Sequence, residues 1–124
     1  MKVKCGTDII EIERIKESIE TLGEKFLKKV FTENEIQYCE SKKAQKYQHY
    51  AARFAAKEAV FKAISEGLPD KFALTWSDYE ILNDKTGKPA VKINKIDLSN
   101  IEDIDLSISH CKLYAVATVV VIYK

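Results

Sequence analysis

Glu58 and Lys62 are the residues of this chain best placed to do chemistry together. They stand one turn apart in Arg53-Phe54-Ala55-Ala56-Lys57-Glu58-Ala59-Val60-Phe61-Lys62-Ala63-Ile64, a run of good helix formers. At about 100° per residue, apolar side chains surround nearly the whole of that helix. Ala52, Ala55, Ala56, Ala59 and Ala63 form a small-residue face, and Phe54 and Phe61 a bulky one. Glu58 and Lys62 project together from the gap between them. A helix apolar nearly all round belongs in a core. A carboxylate and an ammonium side by side there are costly unless they serve something. The plainer alternative is a solvated i,i+4 salt bridge of small value. Its flanks count against it, because the phenylalanines and alanines leave little room for a solvated face.

Asp8 lies two residues past Gly6, where the sequence predicts the end of a first strand. Carboxylates at strand ends are well placed to bind a metal in a cleft. Alone, Asp8 also reads as an N-cap or turn residue before the first helix. With Glu58 it offers two hard oxygen ligands. Mg²⁺ takes one or two carboxylates and completes its shell with waters and substrate phosphate oxygens. Lys62, one turn beyond Glu58, reaches the same phosphates. The set is a phosphoryl-transfer kit. The metal neutralises phosphate charge, the ammonium stabilises the leaving group, and a carboxylate or bound water deprotonates the nucleophile.

Ser107-Ile108-Ser109-His110 closes a predicted strand, and an imidazole with a hydroxyl beside it suits a nucleotide phosphate or ribose. A structural histidine bonded to a carbonyl is the alternative for His110, and the reading for His49. Arg14, near Lys16 and Glu17 on the polar side of the first helix, is one to two turns from Asp8. It is either a solvated residue or a basic contact for an acidic protein partner.

The elements that must position these residues follow from periodicity. Lys2 to Cys5 alternates and predicts a short strand ending at Gly6. Ile12, Ile15, Ile19 and Leu22 follow helical spacing, with Gly23 at the stop. Phe26, Leu27, Val30 and Phe31 predict another short helix. Thr32-Glu33-Asn34-Glu35 has the capping-box pattern and opens a helix through Ile36 and Cys39. Lys42, Lys43 and Lys46 form a basic cluster around a loop. The Ala-rich helix runs from about Tyr50 to Glu66 and is closed by Gly67-Leu68-Pro69. Trp76 to Leu82 and Ala90 to Ile93 predict a hairpin across the turn Asn83 to Pro89. Asp97 to Asp103 is polar connection. Leu106 to Ser109 is a strand, His110 to Leu113 a turn, and Tyr114 to Ile122 a long β-branched strand. The class is α+β, with helices of the N-terminal half packed on an antiparallel sheet formed largely by the C-terminal half.

With 124 residues, 31% charged and 46% hydrophobic, the chain fits one domain spanning 1–124. A net charge of +1 points to no nucleic-acid and no membrane partner. No apolar run approaches a membrane span, and Met1 to Lys4 leads into a strand and not into a signal sequence. Cys5, Cys39 and Cys111 have neither disulfide-framework nor zinc spacing, which fits a reducing cytoplasm.

In this order the pieces resemble the holo-acyl-carrier-protein synthase family, the short class of 4′-phosphopantetheinyl transferases. Gly6-Thr7-Asp8-Ile9-Ile10 running to Arg14 looks like its N-terminal motif. Arg53 to Ala59 with Lys62-Ala63 resembles its central signature. Gly87-Lys88-Pro89 resembles its hairpin turn. Ser107 to His110, followed by Tyr114 to Ala117, resembles its C-terminal motif. The resemblance covers essentially the whole chain. It implies transfer of phosphopantetheine from coenzyme A to a serine of apo acyl carrier protein. Adenosine 3′,5′-bisphosphate is released, Mg²⁺ is required, and the product serves fatty acid biosynthesis. It further implies that Asp8 and Glu58 bind the metal and that Lys62 contacts the pyrophosphate. Ser109, His110, Arg53, Lys88 and Pro89 hold coenzyme A, with Lys57 either a phosphate contact or an ion pair. Arg14 meets the acidic helix of the carrier protein. Members of the family resemble homotrimers with sites between subunits, Asp8 and Glu58 coming from one chain and His110 from the next. Cys111 departs from the pattern, which has a small hydroxyl residue there.

The chemistry agrees with a nucleophile delivered by a partner, since no Cys or Ser here has a credible base beside it. Glu58 is the expected base for the incoming serine, directly or through a metal-bound water. Two other readings use the same residues: a different Mg²⁺-dependent phosphotransferase or hydrolase, and a non-enzymatic binding module. A Walker-type loop is missing from the sequence, which argues against a nucleoside triphosphatase.

Overall fold

The computed structural model describes residues 1–65, 74–94 and 99–124. Strand β1 (Lys2–Glu11) leads into α1 (Ile12–Leu22), α2 (Glu24–Val30), α3 (Glu33–Glu40) and the long α4 (Lys46–Ile64). The second half supplies β2 (Tyr79–Asn83), β3 (Pro89–Ile93), β4 (Ile101–His110) and β5 (Tyr114–Tyr123). Two antiparallel sheets result, one ordered β1-β5-β4 and the other the β2-β3 hairpin. The fold is α+β as expected, with β1 completing a sheet otherwise built by the C-terminal half.

Local signals set most boundaries. Gly23, at φ 58°, ends α1, and its N–H bonds the Ile19 carbonyl at 2.8 Å. Thr32 and Glu35 form the expected capping box at the start of α3. Gly87, at φ 87°, turns the β2-β3 hairpin. Within that turn Asp84 accepts from the Thr86 and Lys88 amides.

Several boundaries differ from the sequence reading, at β1, β4 and β5 because a strand distant in sequence extends the element and at α4 and β2 because a local 3₁₀ turn precedes it. β1 does not stop at Gly6. It pairs with β5 from Lys2↔Tyr123 to Glu11↔Tyr114, so Asp8 is mid-strand and the N-cap of α1 is Glu11. α4 starts a turn before Tyr50, at Lys46, after a 3₁₀ turn at Lys43–Gln45. Trp76–Asp78 is a capped 3₁₀ turn, and β2 begins only at Tyr79. β4 starts at Ile101, because β5 offers it partners there, and β5 continues to Tyr123. The expected stop of α4 at Gly67-Leu68-Pro69, and residues 95–98 of the polar connection, lie outside the described residues.

α4 is the central element. Its Ala55, Ala56, Ala59, Val60 and Ala63 are buried with Leu106, Ala117, Val119 and Val121 of the sheet. The N-terminal part of α4, through Tyr50, Ala51 and Ala52, packs with Ile12, Ile15 and Ile19 of α1 and with Val30, Phe31 and Cys39. The small-residue face lets helix and sheet approach closely. At Gly6 the approach leaves no room for a side chain, since a Cβ there would lie 2.1 Å from the Ala59 carbonyl oxygen.

Among the described residues, one ion pair is fully buried. Lys57 Nζ meets Glu35 Oε1 at 2.7 Å, both side chains being 0% exposed. The pair tolerates burial because its polar atoms are shared out. Lys57 also donates to the carbonyls of Val30 (2.9 Å) and Trp76 (2.8 Å). Glu35 also accepts from the amides of Thr32 and Ile81, both at 2.8 Å.

Candidate active site

β1 and α4 bring the three central residues together. Strand alternation puts Gly6, Asp8 and Ile10 on the face of β1 that meets α4. Because Gly6 lets the helix down onto the strand, Lys62 reaches across. Its ammonium donates to Asp8 Oδ1 at 3.2 Å and to the Thr7 carbonyl at 2.9 Å. Asp8 is mostly covered, at 18% exposed, whereas Lys62 keeps 48% of its side chain in solvent. Lys62 therefore bonds β1, a contact between distant segments, in place of the i,i+4 bridge to Glu58 that was the plainer alternative.

Glu58 is half-buried one turn earlier on the helix. Burial first, and then the negative charge of Asp8, raise the pKa of its carboxyl, while Lys62 opposes the shift. Its surroundings are a cleft of about 240 Å³ shared with Phe61, Leu74, Thr75, Trp76 and Tyr79. Burial, followed by the Glu58 charge, pushes the Tyr79 hydroxyl well above the usual tyrosine range.

The two carboxylates can be tested as a cation site. Among the described residues, no group of three or more His, Cys, Asp and Glu side chains is placed to hold a metal. Two carboxylates near enough for the charge of Asp8 to act on Glu58, with Glu58 lining open space, suit a hard cation that keeps waters or ligand oxygens for its remaining positions. The donor set fits.

The other expected residues occupy distinct places. Lys57 belongs to the buried ion pair, not to the cleft. Arg53, only 4% exposed, packs its guanidinium 4.1 Å from the Tyr38 ring centroid and donates to Asn83 Oδ1 at 3.2 Å. Its buried Nε has no partner. Lys88 is exposed on the hairpin next to Pro89 and donates to Asp105 Oδ1 at 2.6 Å. His110 ends β4 with its ring 5.9 Å from that of His49, which also meets Tyr38 edge-on. Burial lowers the His49 pKa. Ser109 is exposed, paired with Val116. Arg14 is exposed on α1 beside a shallow groove lined by Glu17, Ser18, Thr21 and Leu22.

Within one chain, His110 sits at the opposite end of α4 from Asp8 and Lys62. Between His49 and Lys62 the helix rises roughly 20 Å. The structure thus joins Asp8, Glu58 and Lys62 and sets His110 apart from them.

Sequence reasoning missed the cleft walls and the Thr7 carbonyl. A signal existed for one wall. Trp76 is the only tryptophan of the chain, and it stands directly before an alternating segment. Backbone acceptors such as Thr7 carry no side-chain signal at all.

Residues 4–119 match the model of the 4′-phosphopantetheinyl transferase superfamily, and the chain belongs to that superfamily. Holo-[acyl-carrier-protein] synthase of Ruminiclostridium cellulolyticum is 52% identical over 126 residues, covering 98% of this chain and 92% of that protein. Among solved structures, Helicobacter pylori holo-[acyl-carrier-protein] synthase in complex with coenzyme A matches with a TM-score of 0.80 at 33% identity. The match covers 94% of this chain and 98% of that one. A holo-(acyl-carrier-protein) synthase from Bacillus anthracis in complex with CoA (3′,5′-ADP) matches with a TM-score of 0.77 at 36% identity, covering 95% and 94%.

Proposed function

We propose that residues 1–124 act as one transferase unit that moves 4′-phosphopantetheine from coenzyme A to a serine of apo acyl carrier protein, in support of fatty acid biosynthesis. The observation that carries this reading is the meeting of Asp8 with Lys62 and, through its charge, with Glu58, which lines an open cleft, in a chain similar over nearly its whole length to proteins that are holo-[acyl-carrier-protein] synthases by name.

In this reading Lys62 turns its exposed ammonium to the pyrophosphate, while Asp8 and the Thr7 carbonyl fix where that ammonium starts. The serine oxygen bonds to the phosphorus that carries pantetheine. The bond from that phosphorus to the bridging oxygen breaks, and its electron pair leaves with adenosine 3′,5′-bisphosphate. Lys62 stabilises that leaving charge. Glu58 takes the serine proton, directly or through a water held at the site. Asp8 and Glu58 hold Mg²⁺, which supplies neutralisation of phosphate charge when bound. Arg53, with its unpartnered buried Nε, and Lys88, Pro89, Ser109 and His110 bind the rest of coenzyme A. Arg14 receives the acidic carrier protein.

The site is proposed to be completed in a homotrimer, where His110 of one subunit serves Asp8 and Glu58 of the next. Two observations support assembly. His110 lies away from the carboxylates of its own chain. The sheet face turned from α4 leaves Val3 (64%), Ile9 (63%), Tyr114 (44%) and Val120 (40%) exposed, an apolar surface that calls for cover. The family resemblance supplies the number three. Among the described residues no helix is long and apolar enough to cross a membrane, and a cytoplasmic location is proposed with it.

The test is the intact mass of apo acyl carrier protein incubated with coenzyme A, Mg²⁺ and this protein. A gain of one phosphopantetheine, lost with EDTA and with Glu58→Ala, is expected. No gain by a carrier that another transferase can load refutes the reading. Release of adenosine 3′,5′-bisphosphate without any carrier would favour hydrolysis instead.

A further inference from the structure

Lys57 stands next to Glu58 in the sequence but points the other way. Its ammonium has three hydrogens and three acceptors: Glu35 Oε1 at 2.7 Å, the Val30 carbonyl at 2.9 Å and the Trp76 carbonyl at 2.8 Å. Each acceptor belongs to a different segment. Val30 ends α2, Glu35 caps α3 and holds the amide of Ile81 in β2, and Trp76 opens the 3₁₀ turn before β2.

Trp76 is also a wall of the cleft into which Glu58 faces, together with its neighbours Leu74 and Thr75. Its ring stacks on Phe54 of α4, with centroids 5.3 Å apart and planes 29° from parallel. The wall is therefore held to α4 at two points, a ring stack at Phe54 and a charged hydrogen bond at Lys57. The Lys57 bond is the directional one, and it departs from the residue next to Glu58. A shift of the wall relative to Glu58 would have to break it.

We infer that Lys57, oriented by Glu35, is a positioning residue: through the Trp76 carbonyl it sets the distance between Glu58 and the opposite wall of the cleft, and so the fit of the coenzyme A portion bound there. The inference rests on the transferase reading only for the identity of the occupant. The placement of the wall can be read in the free protein.

As the only tryptophan, Trp76 reports on itself. Lys57→Met alone would leave Glu35 charged and unpaired in the interior. The variant to make is therefore Glu35→Gln/Lys57→Met, which removes both charges and keeps similar volume. A second variant replaces the Trp76–Ser77 amide with an ester. That change weakens the Trp76 carbonyl as an acceptor and leaves both charged side chains in place. Tyr50→Phe is the control, since it loses a buried-side hydrogen bond to Glu40 (2.6 Å) away from the cleft.

Both variants, at a temperature where they are fully folded, are expected to shift Trp76 emission to the red and to raise its quenching by iodide. The KM for coenzyme A is expected to rise about tenfold, the effect of losing an outer-shell partner, with a smaller change in kcat. Tyr50→Phe should move neither quantity. Unchanged Trp76 emission and quenching in the double variant, or in the ester if the double variant does not fold, overturns the inference. So does a shifted Trp76 with the KM of the Tyr50→Phe control, because the pair then holds the wall without setting the fit. If the unaltered protein transfers nothing, the transferase reading fails on its own, and the tryptophan readings still decide whether Lys57 places the wall.

Discussion

Gly6→Ala is the substitution that should do most damage for its size. Gly6 lies in β1 opposite Val119, in ordinary extended backbone, so the penalty comes from space and not from conformation. Its added methyl would lie 2.1 Å from the Ala59 carbonyl oxygen and 3.0 Å from both the Ala63 nitrogen and Lys62 Cβ. Two of those atoms are backbone in the middle of a hydrogen-bonded helix and cannot rotate away. α4 would have to lift by about 0.9 Å to bring the shortest contact to 3.0 Å, the limit below which such contacts essentially never occur. Overpacking on that scale costs about 3 kcal/mol. For a chain of this length that loss lowers Tm by roughly 10 °C. The lift also carries Glu58 and Lys62 away from Asp8, whose bond to Lys62 is already 3.2 Å long. A misplacement of about 1 Å among reacting groups costs on the order of 100-fold in rate. Thermal unfolding followed by circular dichroism and initial rates of carrier-protein loading measure the two effects. A variant with unchanged Tm and a rate within about threefold of the unaltered protein would refute the claim that Gly6 sets the helix–sheet spacing of the site.

The remaining predictions address charge, thiols and the partner. The pKa of Glu58 is raised in the folded protein, so the fold favours its protonated form. That contribution is fully present below the unfolded-state value near 4.5 and is lost as pH rises through the folded-state value. Glu58→Gln, which mimics the protonated form, should therefore be more stable than the unaltered metal-free protein at pH 7 and no more stable at pH 4, as urea titrations at both pH values will show. Cys39, buried and pushed up to about 12, should resist alkylation at pH 8. Cys111, whose pKa is lowered by the amides of Leu113 and Tyr114, should react first. Cys5 lies on the open sheet face and should react in dilute single chains yet be protected on assembly. Peptide mass mapping after iodoacetamide separates the three, and equal labelling of Cys5 at all concentrations would argue against assembly through that face. Arg14→Glu should weaken acyl carrier protein binding and leave coenzyme A binding unchanged, because it reverses one exposed charge away from the cleft. Calorimetric titration with each substrate checks it, and equal loss of both would place Arg14 at the coenzyme A site.

The helices were legible because their signals are local. The isoleucine spacing of α1, Gly23 behind it and the Thr32–Glu35 capping box each act within a few residues. The strands were less so, because their ends are set by partners distant in sequence. β1 continues through Gly6 only because β5 matches it residue for residue, and no window around Gly6 contains β5. Gly6 itself was misread for the same reason. A glycine in a strand marks either a stop or a close backbone approach, and the approaching helix lies more than fifty positions away in the chain. The nearness of the charged residues of the proposed site was legible, since Asp8 bonds Lys62 and its charge acts on Glu58. Its walls at Leu74, Thr75, Trp76 and Tyr79 were not, since apolar and aromatic residues lining a cleft look like core until the fold is known.

Lys57 and Lys62 of α4 show what helical phase could have told earlier. Lys57 shares a stripe with Arg53, Val60 and Ile64, all buried, whereas Lys62 lies off it. A lysine on a core stripe must find its acceptors inside the protein, and Lys57 does, with three. Being 0% exposed, it has no route to an arriving phosphate. Lys62 makes two bonds at the edge of solvent, and with 48% of its side chain exposed it can exchange the Asp8 carboxylate for a phosphate oxygen at small cost. Had the two lysines exchanged environments, the helix would lose its anchor and Asp8 its solvent-edge partner. Burial, and not residue type, divides the pair into a fixed support and a group left at solvent, as the substrate contact proposed for Lys62 requires.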